Sequence, residues 1–159
     1  MPRSIDIDAD RDAADAGDAA AAQELVIREF QMEDYDAVAA LWRACGLSVG
    51  VSEQPPGIAQ KLERDPDLFL VAEVGGEIVA AVVGTYDGRR GAFYRFGVRP
   101  DLQKQGVGSR LLSELEARFK AKGVHKVLLQ VHEHNAEVEE FYRKAGYERA
   151  PVFVMWKEF

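Results

Sequence analysis

The sequence predicts an α+β domain built on one mixed β-sheet with helices on both faces. Three observations carry this. Residues 68–98 read as three apolar runs joined by turns so short that only antiparallel pairing is open to them. Residues 106–122 then switch to helical period, with Val107, Leu111, Leu112, Leu115 and Phe119 on one face. That helix leads into another strand at 124–131, and strand, helix, strand implies a parallel crossover.

Taken in order, residues 1–23 come first. They hold six Asp and two Arg, so they carry −4 of the net charge of −7, and the other 136 residues carry −3. With Ile5 and Ile7 as their only large apolar residues, they cannot bury an apolar face and are expected to form a disordered acidic tail. A helix in the alanine run Ala19 to Ala22 would be marginal alone. The domain is expected over residues 24–159.

Residues 25–30 read as a strand. Glu33 and Asp34 place negative charge at a helix start, and Tyr35, Val38, Ala39 and Trp42 follow at helical spacing. Pro55-Pro56 opens a second helix through Leu62, closed by Pro66. The meander has strands at 68–74, 77–86 and 92–98, with a Gly75-Gly76 hairpin and an Asp87-Gly88 turn. Gly123 stops the 106–122 helix, whose last turns carry Arg118, Lys120 and Lys122. After the 124–131 strand come a helix at 135–145, a stop at Gly146, and a final strand pair around Tyr147 and over 152–156. An exposed last strand ending in Val154-Met155-Trp156 could pair across a dimer, so both monomer and homodimer are open.

Composition narrows the function. At 47% hydrophobic and 30% charged, the 159-residue chain suits one globular domain. The acidic balance argues against a nucleic-acid partner, whose phosphates need a basic surface, and suits a cationic amine. No apolar run approaches a membrane span, and the aspartate-rich start does not read as a signal peptide. The single Cys45 needs no oxidising compartment, so a cytoplasmic location is expected.

The chemistry concentrates in residues 98–110, where a strand ends at Pro100, a polar loop follows, and a strong helix starts at two glycines. A helix start presents unpaired N–H groups and a positive dipole end, which suits a pyrophosphate. Gly106 and Gly108 let the backbone approach such a ligand, and Gln103, Lys104 and Arg110 offer polar or charged contacts. A P-loop would require Lys and then Ser or Thr after the last glycine, where Ser109-Arg110 stand. A dinucleotide fingerprint would require a small residue at Leu111 and an acidic residue ending the next strand, where Leu129-Gln130-Val131 stand. A nucleotide-binding switch therefore rests on the glycines alone.

Gln103-Lys104-Gln105-Gly106-Val107-Gly108 resembles the coenzyme A motif of the GNAT (GCN5-related N-acetyltransferase) family, Gln/Arg-x-x-Gly-x-Gly/Ala, between a strand ending in Val98-Arg99-Pro100 and an amphipathic helix. Asn135 followed by Phe141-Tyr142-Arg143-Lys144-Ala145-Gly146-Tyr147 resembles the family's second signature. The resemblance covers about residues 25–159, and within the family it runs to small bacterial acetyltransferases of unassigned substrate. It implies the GNAT acyl-CoA N-acyltransferase fold, a mixed sheet of about six to seven strands. It also implies acetyl-CoA as cosubstrate and a primary amine acceptor. The strands at 92–98 and 124–131 would splay to admit the pantetheine arm. Backbone groups of Phe96, Gly97 and Val98 would bind that arm, with an N–H near Val98 serving the oxyanion. Gln103, Lys104, Gln105, Gly106, Val107, Gly108, Ser109 and Arg110 would hold the pyrophosphate. Asn135 would contact the cofactor or hold the local backbone. Tyr142 matches the family's general acid and would also touch the cofactor; the competing reading is a core aromatic, which Phe141 fits better.

One departure stands out. Many family members place a Glu four residues before the Val98 position, and here that residue is Tyr94. The remaining base candidates are a water chain, Glu73, Asp87, His132 and Glu133. The departure also motivates a second reading, a non-catalytic acyl-CoA-binding or interaction module. His132-Glu133-His134 does not have zinc-motif spacing and reads as a polar loop, so no metal is expected. Cys45 reads as a small packed residue, and Trp42 and Trp156 as core, interface or pocket border.

Overall fold

The structure, a computed structural model, describes residues 24–159. The acidic 1–23 segment lies outside the described residues. Five strands form one sheet in the order β1-β2-β3-β4-β5: β1 (Leu25–Glu29), β2 (Phe69–Val74), β3 (Glu77–Tyr86), β4 (Gly91–Val98) and β5 (Val127–Leu128). The first three pairings are antiparallel and β4–β5 is parallel, as the meander and crossover pattern require. The helices are α1 (Tyr35–Ala44), α2 (Pro55–Arg64), α3 (Val107–Ala121) and α4 (Val138–Lys144). No helix among the described residues is long and apolar enough to cross a membrane.

The run Leu68-Phe69-Leu70-Val71-Ala72 is apolar throughout because both faces of β2 are covered. Its alternation divides the core in two. Phe69 and Val71 face α1 and α2 and pack with Phe30, Val38, Leu41, Trp42 and Ile58. The Phe69 ring stacks on Phe30 with centroids 4.1 Å apart. Leu68, Leu70 and Ala72 face α3 and α4 and pack with Leu111, Leu115, Phe119, Phe141 and Tyr142. Each such side chain contributes roughly 1.5–3 kcal/mol on burial. Leu111, Leu115 and Phe119 together therefore outweigh the roughly 1 kcal/mol that Gly108 costs in the first turn of α3.

Helices α1, α3 and α4 all end by the same device. Gly46, Gly123 and Gly146 take φ of 75°, 79° and 94°. At each end the glycine N–H and the next residue's N–H turn back to carbonyls of the last turn; in α4 these are Gly146 to Arg143 (3.0 Å) and Tyr147 to Tyr142 (2.9 Å).

Several expectations are corrected. The sheet has five strands, not six to seven. The final strand pair does not form: Tyr147 closes α4 and packs against Phe93 and Tyr142, so it belongs to the core rather than to a ladder. Residues 152–156 run without regular structure, and Trp156 is 83% exposed, bordering neither core nor pocket. The expected 124–131 strand shrinks to Val127–Leu128, because Val124 is used to close α3 and residues 129–131 leave the ladder. The last helix begins at Val138, after a 3₁₀ turn at Glu133–Asn135 that takes up its expected first residue.

Candidate active site

The site is built on an interruption of the sheet. Strand β5 pairs with β4 only at Gly91↔Val127 and Ala92↔Leu128. From Phe93 and Leu129 onward the two strands carry no ladder, so the β4 edge from Phe93 to Val98 is open on its β5 side. Val98 presents its polar groups to that opening. Hydrogen-bonded and non-bonded positions alternate along an antiparallel pair. Arg99 N–H donates to Val79 O of β3 at 2.7 Å, so the preceding residue turns its N–H and C=O away from β3. Consistent with this, Val98 O accepts from two side chains off the ladder, Gln103 Nε2 at 3.0 Å and Cys45 Sγ at 3.2 Å. The Cys45 thiol packs directly beneath Gly97, where a Cβ would stand 3.1 Å from the sulfur. Burial pushes that thiol up to about 11, which fits the packed residue expected of Cys45 and not a nucleophile.

β4 is also bulged. Tyr94 pairs with Val83 and Gly97 with Ala81, so Arg95 and Phe96 together oppose Val82. Arg95 has φ +55°, an uncommon conformation for a residue with a side chain.

The glycine loop leads from this strand to α3. Pro100–Leu102 makes a 3₁₀ turn, Lys104 takes φ +60°, and Gly106 is the α3 N-cap at φ +85°. A glycine cap brings no side chain to the helix start, whose N–H groups and dipole suit an anion. Nothing lies within 4 Å of where a Gly106 Cβ would stand, so that face is open. Two of the polar residues expected at phosphates are engaged with the protein: Gln103 as above, and Gln105, which donates to Asp101 O at 3.1 Å. Arg110 Nη2 lies 3.4 Å from Leu25 O. The N–H groups at the α3 start carry no side-chain cap. Ser109 lies between two clefts, one of about 250 Å³ shared with Glu116, Phe141 and Lys144, the other of about 400 Å³ shared with Ile27 and Glu114.

α4 brings Tyr142 and Phe141 against β4, with centroids 5.9 Å from Phe93 and 6.1 Å from Phe96 respectively. Tyr142 is 7% exposed, and no hydrogen bond reaches its hydroxyl from the described residues. Burial holds this phenol well above its ordinary value, so it carries its proton at any physiological pH. The Tyr142 ring is core, and its hydroxyl makes no bond to the described residues. Asn135 is 5% exposed at the end of the 3₁₀ turn, its N–H donating to His132 O at 2.8 Å.

The base candidates separate. Glu73 lies on β2, two strands from the opening, and accepts from Arg28 at 2.6 and 3.0 Å. Asp87 caps the β3–β4 turn by accepting the N–H groups of Arg89 and Arg90, which hold its carboxyl below the usual range. Neither reaches the opening. His132 and Glu133 flank the segment that leaves β5, with the His132 and His134 rings stacked at 5.3 Å. Tyr94 is 46% exposed on β4. Trp42 is core, as the sequence suggests, and also donates to Arg95 O in the bulge; Glu53 and Arg95, whose side chains pair there, were missed because no local pattern marks them.

The acetyltransferase (GNAT) family matches residues 25–147. An acetyltransferase of Pectobacterium atrosepticum is 44% identical over 131 residues, covering 82% of this chain and 93% of its own. One from Sodalis glossinidius is 43% identical over 122 residues, covering 77% and 86%. Among solved structures, the PaiA N-acetyltransferase of Thermoplasma acidophilum in complex with coenzyme A superposes with a TM-score of 0.73 at 19% identity, over 82% of this chain and 93% of its own. Ard1 of Thermoplasma volcanium gives 0.69 at 27% identity, over 77% and 81%.

Proposed function

The chain belongs to the GNAT family of acetyltransferases, and we propose that it moves an acetyl group from acetyl-CoA to a primary amine. The observation that carries this reading is the opening between β4 and β5 beside the glycine-capped start of α3. A thioester carrier has an anionic end and an amide-bearing arm. The α3 start suits the first and an unpaired strand edge suits the second. In this reading the backbone of residues 103–110 holds the pyrophosphate, and Phe96, Gly97 and Val98 flank the arm. Asn135 fixes the turn beside it.

The reaction is attack of an amine on a thioester carbonyl. Val98 N–H, aimed into the opening, donates to the developing oxyanion. Tyr142, protonated and with its hydroxyl unspent, donates to the departing thiolate. Since Glu73 and Asp87 are committed elsewhere, the amine proton leaves through water at the mouth near Tyr94, His132 and Glu133. The protein acts in the cytoplasm, as a monomer or homodimer, and its buried thiol needs no oxidising surroundings.

Calorimetric titration with acetyl-CoA, followed by an amine panel read as free thiol, tests this. Micromolar one-to-one binding and thiol release above the hydrolysis background are expected. Tyr142→Phe is expected to keep cofactor affinity and thermal stability while lowering turnover by about a hundredfold, the usual contribution of one proton-transfer group. Unchanged turnover removes Tyr142 from the mechanism. Tyr94 in place of the strand carboxylate favours the non-catalytic binding module as second reading; tight binding with no thiol release from any amine decides for it.

A further inference from the structure

The bulge in β4 is held from one side by α1 and the 48–53 connection. The indole of Trp42, at the end of α1, donates Nε1–H to Arg95 O at 3.1 Å. The Arg95 guanidinium meets Glu53 Oε2 at 3.0 Å and also donates to Ser48 O. Glu53 is fixed in turn: Oε2 accepts Gly50 N–H at 2.9 Å and Oε1 accepts the Ser52 hydroxyl at 2.8 Å. Its own carbonyl accepts the Tyr35 hydroxyl at 2.9 Å. A non-glycine residue stays left-handed only where its surroundings over-determine it. Here they do so through α1 and the 48–53 connection, beside the β3 pairings that flank the bulge.

That connection runs over the sheet face that α1 and α2 cover. The α3 start and Tyr142 belong to the opposite face. If the anionic end of the thioester is held on the α3 face, the amine approaches from the 48–53 side. The residues immediately after Arg95 are Phe96, Gly97 and Val98, whose edge faces the opening.

We propose that Arg95 is a positioning residue: braced by Glu53, Ser48 and Trp42, its left-handed backbone aims the Phe96–Val98 edge at the thioester carbonyl and couples that edge to the 48–53 connection on the amine side. A glycine would adopt the same φ without strain. Arginine is suited to this position because its side chain spans the distance to Glu53. The proposal rests on the acetyltransferase reading.

The test uses the full chain, two disruptive variants and one conservative variant. Arg95→Gly keeps the conformation accessible and removes the brace. Glu53→Gln removes the charge and keeps the shape. The readouts are calorimetric affinities for CoA and acetyl-CoA, and the backbone amide resonances of Gly97 and Val98 with each ligand. In the wild type these amides are expected to shift differently with acetyl-CoA and with CoA. In both variants CoA affinity should stay within about twofold, since the α3 loop is untouched, while the acetyl-dependent difference disappears. With any amine that the wild type acetylates, kcat should fall about tenfold or more, and Arg95→Lys should recover most of it. Variants that keep the acetyl-dependent shift and wild-type kcat overturn the proposal and leave the acetyltransferase reading standing. A wild type that binds neither ligand overturns that reading, and this proposal with it.

Discussion

Gly106→Ala separates the ligand from the fold. Gly106 sits at φ +85° with no protein atom within 4 Å of an added Cβ. The substitution therefore meets no clash, and its cost to the fold is conformational. A left-handed alanine costs roughly 1–2 kcal/mol. The lower entropy of the unfolded alanine chain offsets about 0.4–1 kcal/mol of that. The net loss is about 1 kcal/mol, or roughly 2–4 °C in Tm for a chain of this size. Gly123, at the other end of α3, supplies the control: its φ is +79° and a Cβ there also meets nothing within 4 Å. The two alanine variants should thus melt together. They should part on titration with CoA. A methyl on the face where the pyrophosphate approaches is expected to weaken binding by at least about tenfold, 1.4 kcal/mol or more, whereas Gly123→Ala should bind as the wild type does. Melting curves and calorimetry on the same samples read both quantities. Wild-type affinity in Gly106→Ala, or equal losses in both variants, refutes the placement of the anion on this loop.

Two further outcomes follow from titratable groups. Arg28 bonds Asp34 at 2.7 and 2.8 Å and holds its carboxyl below the ordinary 3.8. A depressed folded value gives a contribution that is complete above the unfolded value and lost as pH falls through the folded one. Asp34→Asn should therefore be less stable than the wild type at pH 7 and lose less stability on acidification below about pH 4, as denaturant midpoints across that range will show; parallel pH curves would deny the coupling. Cys45 is 1% exposed with its thiol held near 11 by burial, so iodoacetamide at pH 8 should label it only in denaturant, and rapid labelling of the folded protein would contradict the packing beneath Gly97.

What the sequence discloses here follows from where each piece of information is stored. The meander is legible because short glycine-bearing turns, Gly75-Gly76 and 87–90, fix antiparallel pairing locally, and the 103–110 loop because its two glycines mark a helix start bare of side chains. α3 is legible because Leu111, Leu115 and Phe119 repeat at the helical period. The end of the sheet was misread for a physical reason. Residues 124–131 read as a strand from Val124, Val127, Leu128, Leu129 and Val131, yet only Val127 and Leu128 pair. Hydropathy reports which face a side chain buries, not whether its backbone has a neighbour. Val124 is buried by closing a helix, and Tyr147 is half-buried by closing another while its hydroxyl donates to Glu116 at 2.8 Å.

The same reasoning explains why the bulge escaped notice. The opening, where β4 and β5 stop pairing, was expected only through the family resemblance, and the bulge beside it is held by Trp42 and Glu53 from a distant stretch of chain. Neither feature leaves a period of its own. The residues that would bind the cofactor are therefore readable, since their chemistry is intrinsic to glycine and to a helix start. The residues that aim the strand edge at the carbonyl are readable only in three dimensions, because their role is the contact itself.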